Sequence, residues 1–256
     1  MKISILNLIP RFIDETTKQS IERGLELAKW ADGQNFERYW VAEHHNSKSI
    51  SCSATDLIIG YILENTKRIK VGAGGVMLPN HTPFQVAERY GTLETLYPER
   101  VDLGIGRAPG TDIETAKLIY RDTYKEDNFK EAIRTLLSYF EDEAENFKVR
   151  PYPGVGTHVP VYILGSSMTS AHIAAQLGLP YSFAGHFSPN TVEVALKIYR
   201  EEFTPSKYLD KPYVMLGVSA NAAYEKDAAE HIKQQAISIF LQIQNRNNRD
   251  AFLKAR

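Results

Sequence analysis

The chain of 256 residues has a single cysteine, Cys52, and it lacks any long apolar run. One cysteine excludes an intrachain disulfide, and we therefore expect a reducing, cytoplasmic environment. No run approaches the ~18 apolar residues that a membrane span needs. The N-terminal run at residues 3–9 is broken by Ser4 and Asn7, and no small-residue cleavage pattern follows it. This run therefore predicts a buried strand rather than a targeting segment.

An excess of charge is also missing, since the formal net charge is -1. A balanced surface of this kind does not predict nucleic acid or an acidic membrane as a partner. Hydrophobic residues make up 43% of the chain and charged residues 24%, as in ordinary soluble globular proteins. Because a single α/β barrel also runs to about 250 residues, we predict one domain over residues 1–256.

Several signatures of common enzyme classes are absent. The sequence has no GxSxG elbow, no Walker A motif and no HExxH pair, and Cys52 stands in no cysteine-protease pattern. No further cluster of His, Asp and Glu completes a metal site beside the adjacent His44 and His45, so we expect no metal.

Seven short apolar runs recur along the chain, with helical patterns between them. The runs lie at residues 3–8, 38–42, 68–72, 100–105, 160–165, 179–185 and 212–220. Spacings of three or four, such as Ile21, Leu25 and Ala28, indicate helices between the runs. This alternation predicts an α/β fold with a parallel sheet. Because no GxGxxG turn follows the first run, we favour a TIM-type (β/α)8 barrel over a doubly wound sheet.

Three segments depart from the short repeat. Residues 109–127 are polar and irregular, and residues 149–157 are rich in proline and glycine, so both predict loops. After residue 220 a helical pattern occupies residues 228–240, but no eighth apolar run follows. A closed barrel needs an eighth strand to join the first to the seventh. We therefore expect the last βα unit to be lacking, with the native chain continuing past Arg256 or with residues 228–256 or a partner subunit covering the gap.

Residues 68–112 organise the rest of the chain. They predict a strand, a glycine-rich turn, a helix capped by Thr82, Pro83 and Gln85, and a second strand that leads to Arg107. The two strands of such a β-α-β unit are parallel neighbours. Since ligands of parallel α/β proteins bind at the carboxyl ends of the strands, the two loops that follow them mark a candidate site.

Two groups near this site suggest chemistry at a flat ligand. Because successive side chains of a strand alternate, the two imidazoles of Glu43-His44-His45 point to opposite sides, so at most one faces the barrel mouth. That histidine would be either an acid/base or a hydrogen-bonded structural histidine. In Ala73-Gly74-Gly75, the glycines let backbone approach a flat ligand closely, or they simply form a tight turn.

A third group suggests a phosphate. The sequence ILGSSMTSAH predicts a strand that runs into a helix, so Ser166, Ser167 and Thr169 lie at a helix N-terminus, where anions are stabilised. Arg107 would add a bidentate charge. Simple serine capping is the alternative. A phosphate-bearing flat ligand beside histidine and glycine indicates a flavin.

Three separated motifs carry a family resemblance. WVAEHHN at residues 40–46, the stretch RIKVGAGGVMLPNH…GRAPGTD at residues 68–112, and VYILGSSMTSAHIAAQLGLPYSFAGHFSP at residues 161–189 occur in the same order as in that family. They resemble the bacterial luciferase-like flavin-dependent monooxygenases, and within them the single-component bacterial oxidoreductases. The likeness extends from residue 3 to about residue 230.

The resemblance implies a TIM-type barrel that binds FMN, or in some branches F420, at the carboxyl ends of its strands. It also implies that reduced flavin, often delivered by a separate flavin reductase, reacts with O2 and a small organic substrate. Hydride transfer with F420 and flavin binding without turnover are the alternatives. A homodimer is expected to pair through the helix at residues 83–97, whose stripe of Val86, Tyr90, Leu93 and Tyr97 would otherwise pack on the barrel.

The resemblance further implies roles for individual residues. His44 would be the acid/base near the flavin, Arg107 would hold the phosphate, and Ser166, Ser167 and Thr169 would complete the phosphate cup. Ala73-Gly74 matches the place where relatives have a non-proline cis peptide under the flavin ring. Gly165 stands where luciferases proper have glutamate, so this cup depends more on backbone donors.

Overall fold

The structure, a computed structural model, describes residues 1–119, 126–220, 222–234 and 237. The chain divides into two compact units, Met1–Gly217 and Val218–Arg256. The first unit holds a sheet of seven parallel strands in the order β1-β2-β3-β4-β5-β6-β7. The strands are β1 (Ser4–Asn7), β2 (Arg38–Val41), β3 (Lys70–Met77), β4 (Val101–Gly106), β5 (Val161–Gly165), β6 (Tyr181–Ala184) and β7 (Val214–Gly217).

Helices follow the strands along the chain of the first unit. They are α1 (Thr17–Gly33), α2 (Thr55–Glu64), α3 (Pro83–Leu96), α4 (Ile113–Ile119), α5 (Glu126–Tyr139), α6 (Met168–Leu177) and α7 (Val192–Glu201). The fold is thus an α/β fold with seven parallel strands in a nearly closed barrel flanked by helices. This confirms the predicted TIM-type architecture and all seven predicted strands. Among the helices of the described residues, none has both the length and the apolar character to span a bilayer.

Alternate residues of each strand face the helices and the barrel interior. On β2, the hydroxyl of Tyr39 donates to the carbonyl of Gly24 in α1 over 2.8 Å, so Tyr39 points outward into the layer between sheet and helices. Arg38 and Trp40 therefore point inward, because successive side chains of a strand alternate. On β3 and β4, the outward residues Val71, Ala73, Leu103 and Ile105 are fully buried in the hydrophobic core.

The predicted cap of α3 is present in part. Thr82 Oγ1 accepts a hydrogen bond from the backbone N–H of Gln85 (3.2 Å) and donates to Gln85 Oε1 (3.1 Å). A full capping box would instead use the side chain of residue 85 to accept from the backbone N–H of residue 82. That full box occurs at α1, between Thr16 and Gln19. The predicted stop holds, since α3 ends at Leu96, before Pro98.

Two sequence predictions are corrected. The glycine run after residue 72 is not a turn, because β3 continues through it to Met77. Residues 109–127 are not a loop throughout, since they contain α4 and the start of α5, with residues 120–125 outside the described residues. The start of α4 is explained by Asp112, whose Oδ1 accepts from the backbone N–H of Thr115 over 3.0 Å, as an N-terminal cap does.

The apolar stripe of α3 packs within its own chain. Val86, Tyr90 and Leu93 are buried in the core of the first unit. Gly91 lies against the 151–157 segment, where an added Cβ would come within 2.3 Å of Gly154 Cα. The stripe therefore serves the packing of the barrel, which was the alternative explanation, and the homodimer stays a prediction without this support.

The second unit is described in part. Residues 226–234 form a helix, which agrees with the predicted helical pattern from residue 228. The rest of that pattern, beyond residue 237, lies outside the described residues. In residues 218–220, 222–234 and 237 there is no strand, so the described part of this unit supplies no eighth strand. That residues 1–256 form one domain stays a prediction.

Candidate functional site

The predicted site residues follow the carboxyl ends of four consecutive strands. His44 follows β2, the glycine run lies at the end of β3, Arg107 follows β4, and Ser166 and Ser167 follow β5. These four strands are neighbours in the sheet and all run in parallel. The fold therefore brings all the predicted residues to one edge of the barrel, where α/β barrels bind their ligands.

Gly74 and Gly75 lie near the carboxyl end of β3, before Val76 and Met77, and are joined by a cis peptide bond. The predicted position, Ala73–Gly74, is wrong by one residue. Ala73 belongs to regular strand and is fully buried on the outward face. At Gly74/Val76 the register of β3 against β4 shifts, which leaves Gly75 as an additional residue in the strand. A Cβ at Gly75 would lie 2.7 Å from the carbonyl oxygen of Gly104, so this close approach of two strands requires glycine.

The inward face of β3 and β4 is nearly bare of side chains at this end. Larger side chains from the flanking strands lean over it. A Cβ at Gly74 would lie 2.7 Å from Cε3 of Trp40 on β2, and a Cβ at Gly104 would lie 2.4 Å from Cδ1 of Leu164 on β5. Gly104 is therefore buried beneath Leu164, whereas Gly74 keeps partly accessible backbone beside Trp40, and this backbone is the glycine surface of the site. Such a surface suits a planar ring system, because accessible backbone approaches a ring closely.

The loop after β5 leads directly into α6. Ser167 is the N-cap of this helix and accepts from the backbone N–H of Ser170. Ser166 and Thr169 are half-buried and Ser167 is exposed. The N-terminal N–H groups of a helix and these three hydroxyls together form a donor set that suits an anion such as a phosphate.

Gly165 explains the departure from the luciferase pattern. A Cβ at this position would lie 2.1 Å from Oγ and 2.3 Å from Cβ of Ser170. Ser170 is held in place, since its Oγ donates to the carbonyl of Ser167 (2.7 Å) and lies 2.8 Å from the hydroxyl of Tyr181. No side chain fits at position 165 while Ser170 keeps these hydrogen bonds.

Arg107 is half-buried directly after Gly106, the last residue of β4. The loop that it begins is anchored to the end of β2. His45 donates its backbone N–H to the carbonyl of Gly110 over 2.9 Å, and Thr111 Oγ1 donates to the carbonyl of His45 over 3.1 Å. The placement of Arg107 therefore depends on the segment that contains the two adjacent histidines.

The two histidines have different environments, as the alternation predicted. His45 Nε2 lies 2.7 Å from Oε1 of the buried Glu43. His44 is half-buried outside this pair: its backbone N–H donates to the carbonyl of Cys52 (2.9 Å), and its Nδ1 makes a long contact of 3.4 Å with the carbonyl of Ala42. Since a carbonyl only accepts, a hydrogen bond at this contact requires the tautomer with the proton on Nδ1, in which Nε2 of His44 is the basic nitrogen.

Glu43 is the centre of a cluster that the sequence interpretation did not assign. His45, His81 and Asn80 surround its carboxylate at 2.7 to 3.1 Å, and Met77 donates its backbone N–H to Oε2 over 2.9 Å. Asn80 Nδ2 also donates to the carbonyl of Pro109. The cluster therefore links the ends of β2 and β3 to the loop after β4. The signal available in the sequence was the acidic residue beside the histidine pair, followed by Asn80-His81 after the next strand.

The pKa values of Glu43 and His44 are both lowered, but for different reasons. Burial disfavours the charged carboxylate of Glu43, but the hydrogen bonds from His45, His81 and Asn80 outweigh it and lower the pKa of Glu43 to about 2. Burial lowers the pKa of His44 below its ordinary value, and the carbonyl of Ala42 only partly opposes this. At neutral pH the site therefore holds an ionised Glu43 and a neutral His44.

His186 is a second histidine at the barrel mouth that the sequence interpretation left without a role. It follows β6, donates its backbone N–H to the carbonyl of Gly217 over 3.1 Å, and packs its ring 4.4 Å from that of Phe187. A Cβ at Gly217 would lie 3.0 Å from its Nδ1. Burial lowers the pKa of His186, so this imidazole is also neutral at pH 7. The sequence signal was GHFSP directly after the sixth predicted strand.

Solved structures support the fold. The chain is similar to apo-MsnO8, with a TM-score of 0.79 and 34% identity, over 84% of this chain and 64% of that one. It is also similar to the oxygenating constituent of 3,6-diketocamphane monooxygenase from Pseudomonas putida in complex with FMN (TM-score 0.64, 18% identity, 81% of this chain and 64% of that one). An F420-dependent secondary alcohol dehydrogenase matches with a TM-score of 0.64 and 19% identity, over 78% and 63% of the two chains. The last two likenesses concern the fold alone.

Curated relatives match most of the chain. A protein of Bacillus subtilis named YddN is 49% identical over 246 residues, which are 96% of this chain and 73% of the relative. A luciferase-like monooxygenase of Escherichia coli K12 is 45% identical over 230 residues (90% and 69%), and an N-acetyl-S-alkylcysteine monooxygenase of Bacillus subtilis is 33% identical over 208 residues (79% and 62%). The family model for luciferase-like monooxygenases matches residues 1–256. The chain therefore belongs to the luciferase-like monooxygenase family.

Proposed function

We propose that this protein is an FMN-dependent monooxygenase that uses reduced FMN and O2 to oxidise a small organic substrate. One observation carries the proposal: a glycine surface, an arginine, a hydroxyl-rich helix N-terminus and a neutral histidine lie at the carboxyl ends of four consecutive parallel strands. These are the groups that a planar ring with a phosphate tail needs. Family membership adds the reaction class, in which O2 is a co-substrate.

The residues fit FMN at both of its ends. The donor set of Ser166, Ser167 and Thr169 at the start of α6, together with Arg107, would hold the phosphate. The backbone at Gly74 and Gly75 would lie against the ring, where neither glycine has room for a side chain toward its neighbours. Ala73, which the sequence interpretation included, faces the outer core and would act only by continuing the strand.

Reduced FMN, when bound, supplies two electrons to O2, so that one oxygen atom enters the substrate and the other leaves as water. The protein's part is to hold the ring, exclude water and move a proton. We assign proton transfer to Nε2 of His44, because burial keeps this imidazole neutral and its Nδ1 is directed to the carbonyl of Ala42. A separate flavin reductase would deliver the reduced FMN, and the active form would be a homodimer.

FMN is preferred over F420 on the charge of the tail. F420 carries an acidic tail beyond its phosphate, and a strongly basic cluster at the start of α6 would suit it. The segment at residues 165–178 contributes hydroxyls but no Lys or Arg, and its one histidine, His172, pairs with Glu202. Arg107 and neutral donors suit a single phosphate better than a longer anionic chain.

The test has a binding step and a turnover step. Under anaerobic conditions the protein is titrated with reduced FMN and, separately, with reduced F420, and the cofactor's fluorescence or absorbance gives each dissociation constant. The FMN complex is then mixed with 18O2 and a panel of thioethers, aldehydes and ketones. Thioethers are included because one relative is named an N-acetyl-S-alkylcysteine monooxygenase.

We expect tighter binding of FMN than of F420 and one 18O atom in the product of a panel member. Tighter binding of F420, with substrate oxidised in the absence of O2, would replace the proposal by F420-dependent hydride transfer. Binding of FMN with all electrons recovered as hydrogen peroxide, and with the same oxidation rate in a His44→Ala variant, would favour a flavin-binding protein without turnover.

A further inference from the structure

Trp40 is one of the two tryptophans of the chain, and it lies inside the barrel against the glycine surface. Its side chain is 4% exposed, and its Cε3 occupies the space that a Cβ of Gly74 would need. On its other side the indole meets the ring of Tyr162 edge-on, with centroids 5.1 Å apart and an interplanar angle of 71°. The indole therefore lies between the end of β3 and the inner face of β5.

The indole N–H reaches a carboxylate that is itself buried. Trp40 Nε1 donates to Asp102 Oδ2 on β4 over 3.1 Å, and Asp102 is fully buried. The same oxygen lies 3.0 Å from Nε of Arg38, two residues before Trp40 on β2. One oxygen of Asp102 thus accepts the hydrogen bond of the indole and forms the ion pair with the guanidinium.

Tyr162 completes the network on the far side. Arg38 Nη2 donates to the Tyr162 hydroxyl over 3.0 Å, and the Arg38 guanidinium lies 5.5 Å from the centroid of the Tyr162 ring. Residues from β2, β4 and β5 therefore hold one another through hydrogen bonds, an ion pair and ring contacts. Burial raises the pKa of Asp102, with the charge of Arg38 acting in the opposite direction. Burial lowers the pKa of Arg38, but the charge of Asp102 and the interactions with Tyr162 together outweigh burial, so the pKa of Arg38 is raised.

A buried ion pair is weak evidence for stability, because apolar residues of similar volume often replace such a pair without loss. A role in orientation is a better explanation here. On β3 the indole of Trp40 meets Gly74 rather than a side chain, so its rotamer is selected by the ring of Tyr162 and by the carboxylate of Asp102. Of these two partners, the carboxylate is the one that fixes the direction of the indole N–H.

We propose that Asp102, held by Arg38 and Tyr162, is a positioning residue that fixes the indole of Trp40 as the floor of the ring-binding pocket. The proposal rests on the proposed flavin function for the identity of the ring, but the tether itself is a property of the protein without cofactor. The floor lies at the ring end of the pocket, whereas Arg107 and the start of α6 lie at the phosphate end. Loss of the tether should therefore weaken binding of FMN and of riboflavin, which has no phosphate, by the same factor.

The experiment uses the tryptophan content of the chain. Trp30 is 53% exposed on α1, so a Trp30→Phe variant leaves Trp40 as the remaining indole of the sequence. In this background Asp102→Leu removes both carboxylate oxygens, and with them the acceptor of the indole N–H and the partner of Arg38. The matched control is Asp56→Leu, which removes the aspartate of an Asp–Arg pair on the outer helices, where Asp56 Oδ2 lies 3.5 Å from Arg89 Nε.

In the Trp30→Phe protein without cofactor we expect blue-shifted emission, weak quenching by acrylamide and slow depolarisation. Asp102→Leu should shift the emission to the red, speed the depolarisation and raise the dissociation constants of FMN and riboflavin equally, by about tenfold. Asp56→Leu should leave all of these unchanged.

Two outcomes overturn the proposal. Unchanged Trp40 emission in Asp102→Leu would show that the carboxylate does not hold the indole. Altered emission with unchanged FMN and riboflavin affinities would show that the indole is not the floor of the pocket. Should Asp102→Leu fail to fold, Asp102→Ala, which also lacks an acceptor for the indole N–H, takes the same measurements with the same criteria. If neither FMN nor F420 binds the parent protein, the proposed function fails, whereas the emission still tests the tether.

Discussion

Glu43 and His81 are 38 residues apart in the sequence, and His81 Nε2 lies 3.0 Å from Oε2 of the buried Glu43. This contact joins the end of β2 to the 3₁₀ turn Leu78–Asn80 that follows β3. His45 and Asn80 bind the same carboxylate, and Asn80 also reaches the loop that begins with Arg107. One buried carboxylate therefore orders the loops after three neighbouring strands.

The carboxylate of Glu43 should make the stability of the protein depend on acid. Its folded-state pKa of about 2 lies below the ordinary 4.5, so its contribution is present above about pH 4.5 and is lost as the pH falls toward 2. A difference of this size corresponds to about 3 kcal/mol. Glu43→Gln should lower the free energy of unfolding at pH 7 by a similar amount and flatten its fall between pH 4.5 and pH 2. Urea unfolding at a series of pH values measures both.

Glu114→Gln is the control for this series, because Glu114 is an exposed carboxylate that pairs with Lys117 over 2.8 Å. Exposed pairs of this kind contribute at most about 1 kcal/mol. Equal effects of the two substitutions would show that burial of Glu43 and its two histidine partners do not matter to stability.

The glycine run shows how far sequence reasoning reaches. Pattern alone places the strand, the helix cap at Thr82 and the second strand, because local alternation and capping residues determine them. It does not place the cis peptide bond, since that depends on which residue of β3 falls out of register with β4. Gly74 and Gly75 look alike in the sequence, and only the approach of Gly104 distinguishes them.

His44 should be needed for turnover and not for cofactor binding. His44→Ala should lower the rate of substrate oxidation by about 10² to 10⁴ while the FMN dissociation constant changes little, as for loss of a general acid/base. Because burial lowers the pKa of His44, the acid limb of the pH–rate profile should lie below 6.5. Stopped-flow rates between pH 5 and pH 8 test this.

The control is His172→Ala, since His172 lies on α6 in an exposed pair with Glu202 at 2.6 Å. A profile for the parent protein whose acid limb lies above 6.5 would contradict the assignment of His44. So would a comparable loss of rate in both variants.

Arg107 should recognise the phosphate and not the ring. Arg107→Ala should weaken FMN by about 10- to 100-fold, or 1.5 to 3 kcal/mol, because a charge-assisted hydrogen bond is lost. Riboflavin should bind the variant about as well as it binds the parent. Quenching of flavin fluorescence measures the dissociation constants of FMN and of riboflavin for both the parent and the variant. Arg134→Ala, at an exposed residue of α5, is the control, and an equal loss for the two flavins would place Arg107 away from the phosphate.

The unpredicted part of the site consists of contacts between residues that are far apart in the sequence and lie on different strands. Asp102 and Trp40 are 62 residues apart, and a buried aspartate in the run RVDLGI reads as a polar interruption of a strand. The role of Glu43 was missed for the same reason, since His81 and Asn80 reach it only once β2 and β3 are paired. Residues that act at strand ends were easier to find, because parallel topology brings all such ends to one edge.

Gly165 packs directly against Ser170 at the start of α6 and has no room for a side chain. In Gly165→Ala the new methyl group would meet Ser170 Cβ at 2.3 Å as well as its Oγ at 2.1 Å, so a shift of the start of α6 is required. We expect the free energy of unfolding to fall by about 1 to 3 kcal/mol, the range typical of overpacked sites, and FMN affinity to fall with it.

The double variant Gly165→Ala/Ser170→Ala should not recover FMN affinity, because Cβ of residue 170 remains. Ser170→Gly removes both clashing atoms, so the double variant Gly165→Ala/Ser170→Gly should recover FMN affinity relative to Gly165→Ala. Gly33→Ala is the control, since a Cβ there meets nothing within 4 Å. Unfolding by urea and FMN titration of the five proteins decide the matter: equal rescue by alanine and glycine at position 170 would show that the hydroxyl, not the space beside Gly165, controls the phosphate end of the site.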